Sequence, residues 1–105
     1  TELAFSYNAL GKFDLAEIAL LKDLKINPKE CYTLKELAYT YNHLSKLDKS
    51  IETYNKMVSY CSNKAFIQET AYNLAFRYFQ IKDKTNFEKW NREARKGSDK
   101  ENQFT

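Results

Sequence analysis

Leu3-Ala4-Phe5-Ser6-Tyr7 returns as Leu37-Ala38-Tyr39-Thr40-Tyr41 and again as Leu74-Ala75-Phe76-Arg77-Tyr78, at offsets of 34 and then 37 residues. A string of Leu-Ala-aromatic-x-Tyr repeated at a period within about 20 to 50 residues marks a repeat architecture, in which each repeat is one supersecondary unit. Each string lies towards the end of a segment with helical periodicity. A short polar connection and a second segment with its own apolar stripe follow each time. The unit is therefore a helical hairpin, met three times. The spacing predicts inner helices at 1–10, 29–44 and 64–81 and outer helices at 13–26, 47–60 and 85–96. Gly11 falls where the first inner helix must turn, Asn27-Pro28 stops the first outer helix, and Pro28 is placed to open the next one. Asp14, Asp48 and Asp83 lie in or beside the hairpin turns, where a carboxylate can cap the following helix.

Composition agrees with this reading. The 105 residues are one domain's worth of chain, which excludes a multidomain enzyme. Apolar residues make up 43% and aromatics 15%, with 8 Tyr and 7 Phe, enough to fill a core and too many for a disordered chain. The 2 Gly and 1 Pro are too few to reverse the strands of a sandwich or barrel, so the fold class is all-α. The longest apolar stretches, such as residues 16–21 with Glu17 inside it, are far short of the roughly 18 residues that span a bilayer. Seventeen Lys and Arg against 14 Asp and Glu give +3 and an isoelectric point near 8.8, below what a dedicated nucleic-acid binder carries. No basic-then-apolar leader opens the sequence, and two cysteines are too few for a disulfide scaffold; the expectation is a reducing, cytoplasmic compartment.

With the repeat established, the sequence resembles the tetratricopeptide-repeat family, whose signature runs Trp-x2-Leu-Gly-x2-Tyr, Ala-x3-Phe and Pro. The first repeat carries Leu3-Ala4-x2-Tyr7, Gly11, Ala16-x3-Leu20 and Pro28 in that order and spacing. The second carries Leu34-x2-Leu37-Ala38-x2-Tyr41 and Ser50-x3-Tyr54, with Ser62 where proline belongs. The third carries Ala71-x2-Leu74-Ala75-x2-Tyr78, then departs: its outer helix offers Phe87, Trp90 and Ala94 with Asn91 where a large apolar residue belongs. The resemblance implies an α-solenoid of about three antiparallel hairpins over 1–96, with repeats at 1–28, 29–63 and 64–96, and the composition of 97–105 reads as a flexible tail. Ala4, Ala38 and Ala75 are small so that helices can cross closely, and Tyr7, Tyr41 and Tyr78 fill the space beside the crossing.

The inventory for catalysis is thin. His43 is the single histidine, the cysteines are Cys31 and Cys61, and the sequence has no glycine-rich phosphate loop, metal-ligand pair or nucleophile elbow; no enzyme activity, metal or cofactor is expected. Cys31 begins one helix of a hairpin and Cys61 follows the other, but helix axes lie about 8–10 Å apart and a disulfide needs Cα atoms within about 7 Å, so two buried thiols are expected.

The informative surface is the concave one. From the repeat phase it collects Phe5, Tyr39 and Phe76 in one row, Asn8, Asn42 and Phe79 in the next, and Ala9, His43 and Gln80 in a third. Tyr32, Lys35, Glu36, Glu69, Tyr72 and Asn73 flank these rows. Aromatics offer contact area at low entropic cost and amides bond a peptide main chain, so a protein or peptide partner is expected, with Tyr39 and Phe76 as apolar anchors and Asn42 and Asn73 on the ligand backbone. Some tetratricopeptide domains clamp a chain-terminal carboxylate with Lys, Arg and Asn; the matching places here hold Thr1, Phe5, Glu36, Glu69 and Asn73, and that clamp is absent. An acidic groove likewise speaks against RNA reading of the pentatricopeptide kind. The alternative is structural: a scaffolding segment that packs on an adjoining domain or associates with itself.

Overall fold

The computed structural model describes residues 2–103, with the backbone alone for 97–103. Among the described residues six helices follow in order: α1 (Glu2–Ala9), α2 (Phe13–Ile26), α3 (Cys31–His43), α4 (Leu47–Tyr60), α5 (Lys64–Gln80) and α6 (Lys84–Gln103). They divide into two compact units, residues 1–60 and residues 61–105. In the first unit α1 packs on α2, α2 on α3 and α3 on α4; in the second, α5 packs on α6. The fold is all-α and of the tetratricopeptide type, and α2 and α4 have the bounds that the periodicity predicts.

One device ends all three inner helices. Gly11, Ser45 and Lys82 have φ of 75°, 59° and 63°, the left-handed conformation, at positions separated by the repeat offsets. The amide of each bonds back to a carbonyl three residues earlier: Gly11 to Asn8 at 3.1 Å, Ser45 to Asn42 at 3.2 Å, Lys82 to Phe79 at 3.1 Å. The next amide reaches five residues back, Lys12 to Tyr7 at 2.8 Å, Lys46 to Tyr41 at 2.9 Å and Asp83 to Tyr78 at 2.9 Å. This pair of bonds is the Schellman motif, which satisfies carbonyls that the ending helix would otherwise leave open and reverses the chain into the outer helix.

The helix starts are less uniform. Asp83 caps α6 by accepting from the Asn86 amide at 3.2 Å, as expected of it. Asp14 and Asp48 do not cap. They stand inside the first turns of α2 and α4, where their charge opposes the positive end of the helix dipole. The caps of α3 and α5 are Glu30, which accepts from the Tyr32 amide, and Asn63, which accepts from the Phe66 amide. Pro28 does not open α3. It sits in a turn closed by the Glu30 amide on the Asn27 carbonyl, and the helix begins at Cys31.

The core of the first unit gathers Ala4, Leu20, Leu37 and Tyr41, with Ala19 and Leu24 packed against them. Ala38 and Ala16 are fully buried, as close helix crossings require. In the second unit Ala71, Leu74 and Ala75 of α5 and Trp90 and Ala94 of α6 are buried, and Gln68 Nε2 donates to the Ala94 carbonyl at 3.2 Å. The third outer helix is continuous although Asn91 stands in the apolar slot: Trp90, one position earlier, supplies the buried mass. It also runs past the expected end at Lys96, since Gly97 weakens a helix without breaking it and no proline follows. Of the expected tail at 97–105, the backbone of 97–103 continues α6, while the side chains of 97–103 and residues 104 and 105 lie outside the described residues.

Both cysteines are disulfide-bonded and no free cysteine is present, which corrects the expectation of two thiols. The spacing of helix axes constrains residues within helices, whereas Cys31 is the first residue of α3 and Cys61 the first beyond α4. Bonded cysteines give no ground for a reducing compartment. Among the described residues no helix is long and apolar enough to cross a membrane.

Candidate functional site

In the first unit the amide row is not open to a ligand. Asn8 is buried; its Nδ2 donates to Glu36 Oε2 at 2.7 Å and its Oδ1 accepts from Thr40 Oγ1 at 3.0 Å, which joins α1 to α3. Asn42 Nδ2 donates to the Tyr54 hydroxyl at 2.9 Å, and its Oδ1 accepts from Ser50 Oγ, which joins α3 to α4. Asn8, expected in the groove, and Asn42, expected with Asn73 on a ligand backbone, are instead both spent on holding neighbouring helices in register. Glu36 is engaged in the same network rather than standing as a bare carboxylate of a groove.

The aromatics of that unit remain accessible. Tyr39 is 45% exposed, and its ring lies 4.4 Å from that of His43, one helical turn on. His43 in turn stacks on Phe13 of α2, with ring centroids 4.5 Å apart and planes 9° from parallel, while Phe13 meets Tyr39 edge-on at 6.4 Å. Phe13 was not among the expected site residues; it is the residue that fixes the His43 and Tyr39 rings. Phe5 and Tyr32 line a separate cleft of about 540 Å³ together with Ile26, Asp23 and Glu30. Lys35 is exposed on α3.

In the second unit Tyr72, Phe76 and Phe79 are exposed along α5, Phe79 by 63%. Glu69 is exposed as well, and its carbonyl accepts from Asn73 Nδ2 at 2.9 Å, so that amide is bonded within its own helix. The Arg77 guanidinium lies 4.9 Å over the Phe76 ring. Phe76, Phe79 and Phe87 line a cleft of about 570 Å³ between the ends of α5 and α6, with Lys82, Lys84 and Glu88 at its rim. The Phe79 and Phe87 rings are 5.5 Å apart and tilted by 56°, a favourable aromatic pair.

Phe87 was missed as a site residue although the sequence carries a signal. At the repeat offsets it takes the place of Ala16 and Ser50, both fully buried, and Phe79 takes the place of Asn8 and Asn42. Where the second repeat sets a polar Asn42 and Ser50 pair inside the protein, the third sets two rings beside an open apolar cleft. Among the described residues no cluster of His, Cys, Asp and Glu is arranged to hold a metal ion.

No family model matches the chain. A TPR repeat-containing protein of Methanocaldococcus jannaschii is 32% identical over 65 residues, which is 62% of this chain and 12% of that protein. Among solved structures, a crystal structure of MamA superposes with a TM-score of 0.81 at 26% identity, covering 90% of this chain and 54% of the MamA chain. A structure of MamA AMB-1 superposes with a TM-score of 0.81 at 22% identity, over 91% of this chain and 51% of that one, a likeness of fold. The chain thus spans about half of these structures and a small part of its curated relative. Three phased motifs, three antiparallel hairpins closed by the same turn, and these likenesses give the chain an all-α fold of the tetratricopeptide-repeat type.

Proposed function

We propose that the chain is a protein-interaction module that takes apolar side chains of a partner segment on its exposed inner-helix aromatics, without a catalytic step. The fold is that of an interaction or scaffold module, and the finer reading rests on one observation: beside Phe76, an apolar cleft is lined by Phe79 and Phe87, whose equivalents in the other repeats are small or polar. Exposed aromatics that stay rigid are the residue type that dominates binding energy when a partner covers them. Phe79, paired with Phe87, and Tyr39, held by His43 and Phe13, are both fixed before any ligand arrives, which lowers the entropic cost of binding. Lys82 and Lys84 against Asp83 and Glu88 leave the rim mixed in charge, so the cleft selects by apolar shape.

The test is selection of a random dodecapeptide display library on the immobilised chain. The expected result is enrichment of sequences rich in aromatic and large aliphatic residues, whose affinity falls at least tenfold on Phe79→Ala, a loss typical of a central anchor. Helix content by circular dichroism should be unchanged in the variant because Phe79 is mostly exposed. A library that yields no binder, or binders indifferent to both Phe79→Ala and Tyr39→Ala, overturns the reading.

A further inference from the structure

The outer face of α2 differs from the same face of the other two outer helices. Leu15, Ile18 and Leu21 are 44%, 52% and 39% exposed. At the repeat offsets their counterparts are Lys49, Glu52 and Asn55 on α4 and Asn86, Lys89 and Arg92 on α6. Two of the three outer helices thus carry the charged or amide residues that suit a solvated face, and Glu52 even pairs with Lys56 there. The first carries three large aliphatic residues at those places. At 100° per residue Asp14, Leu15, Ile18, Leu21, Lys22 and Lys25 fall within about 120° of one face, with Ile18 at its centre.

We infer that this face is a two-fold dimer interface, in which α2 of one copy of the chain lies antiparallel on α2 of a second copy. The occupant follows from charge and apolar order along the helix. An antiparallel pairing centred on Ile18 sets Ile18 against Ile18, Leu15 against Leu21 of the other copy, and Asp14 against Lys22 of the other copy. Each aliphatic residue then meets an aliphatic residue, and each end of the stripe meets the opposite charge, twice by symmetry. The parallel pairing puts Asp14 beside Asp14 and Lys22 beside Lys22. Stacking α6 of one copy on α2 of the next is opposed too, because Lys89 and Arg92 would be stripped of water against Leu15 and Ile18.

Sedimentation equilibrium of the full 105-residue chain over about 10 μM to 1 mM tests the inference, a range in which a small interface of this kind associates measurably. The expected result is an average mass that climbs from 12.4 kDa towards twice that value and no further. Ile18→Lys places two cations at the symmetry axis and should weaken association at least tenfold, with an unchanged helical spectrum because the position is exposed. Asp14→Lys and Lys22→Asp should each weaken it, and the variant with both changes should regain the wild-type constant within a factor of about three. Phe79→Ala should leave the dimer untouched. The inference fails if the wild-type mass stays at the monomer throughout, if Ile18→Lys associates as the wild type does, if the double exchange does not recover, or if Phe79→Ala is the change that abolishes the dimer.

Discussion

Gly11, Ser45 and Lys82 do the same conformational work with different side chains, and only the first is suited to it. A residue with a Cβ pays about 1–2 kcal/mol to hold the left-handed conformation, while glycine pays more backbone entropy on folding. The balance predicts that Ser45→Gly and Lys82→Gly each raise stability by about 0.5–1 kcal/mol, read as a higher urea midpoint. Gly11→Ala should lower it by about 1 kcal/mol through the backbone alone, since a Cβ at Gly11 meets nothing within 4 Å. If the two glycine substitutions leave the midpoint where it is, the turn geometry is not limiting. The left-handed residues were readable at Gly11 from its type, and at the other two from register alone: a Ser and a Lys advertise nothing by themselves, but they stand at the repeat offsets from a glycine that does.

Helices were legible almost to the residue where apolar period and turn chemistry agree, as in α2 and α4, and less so where a terminus depends on a cap chosen by tertiary contacts, as at Glu30 and Cys31. The same limit applied to the candidate site. Periodicity placed Asn8 and Asn42 on the inner helices in equivalent positions, but the direction of an amide is set by its acceptors, and Glu36, Thr40, Ser50 and Tyr54 all come from elsewhere in the sequence. The aromatics were more readable because a ring that large is either in the core or on the surface, and Tyr39, Phe76 and Phe79 had no core slot left to fill. A consequence for packing between helices can be measured. Asn8→Ala removes the donor to Glu36 and the buried acceptor of Thr40, and should cost about 1–3 kcal/mol. Asn73→Ala, which removes only a bond from one residue of α5 to a carbonyl of the same helix, should fall within about 0.5 kcal/mol of the wild type. Equal costs at the two sites would return Asn8 to the surface.

At the scale of the whole molecule, composition foretold an all-α chain with a slight positive charge, while the oxidation state of the cysteines lay beyond it, because axis spacing says little about residues at helix ends. Charge also governs how the molecule responds to alkali. Burial, and then the Glu17 carboxylate, raise the Tyr41 phenol above the ordinary tyrosine range. A hydrogen bond to Glu17 Oε1 at 2.7 Å raises the Lys46 ammonium above the ordinary lysine range. In both cases the folded chain holds its proton more tightly than the unfolded one, so the stability they contribute is complete below about pH 10 and is lost as pH rises from there through the raised folded values. Thermal melts should therefore show a midpoint that falls from about pH 10 upwards, beyond the isoelectric point near 8.8, where dilute samples are needed because net repulsion vanishes. Tyr41→Phe deletes one titrating group and Glu17→Gln removes the main partner of the other. Each variant should descend less steeply than the wild type across the alkaline limb, and the pair together should be shallower than either. An alkaline limb of unchanged slope in both variants would assign the loss to groups other than this α2, α3 and connecting-turn cluster.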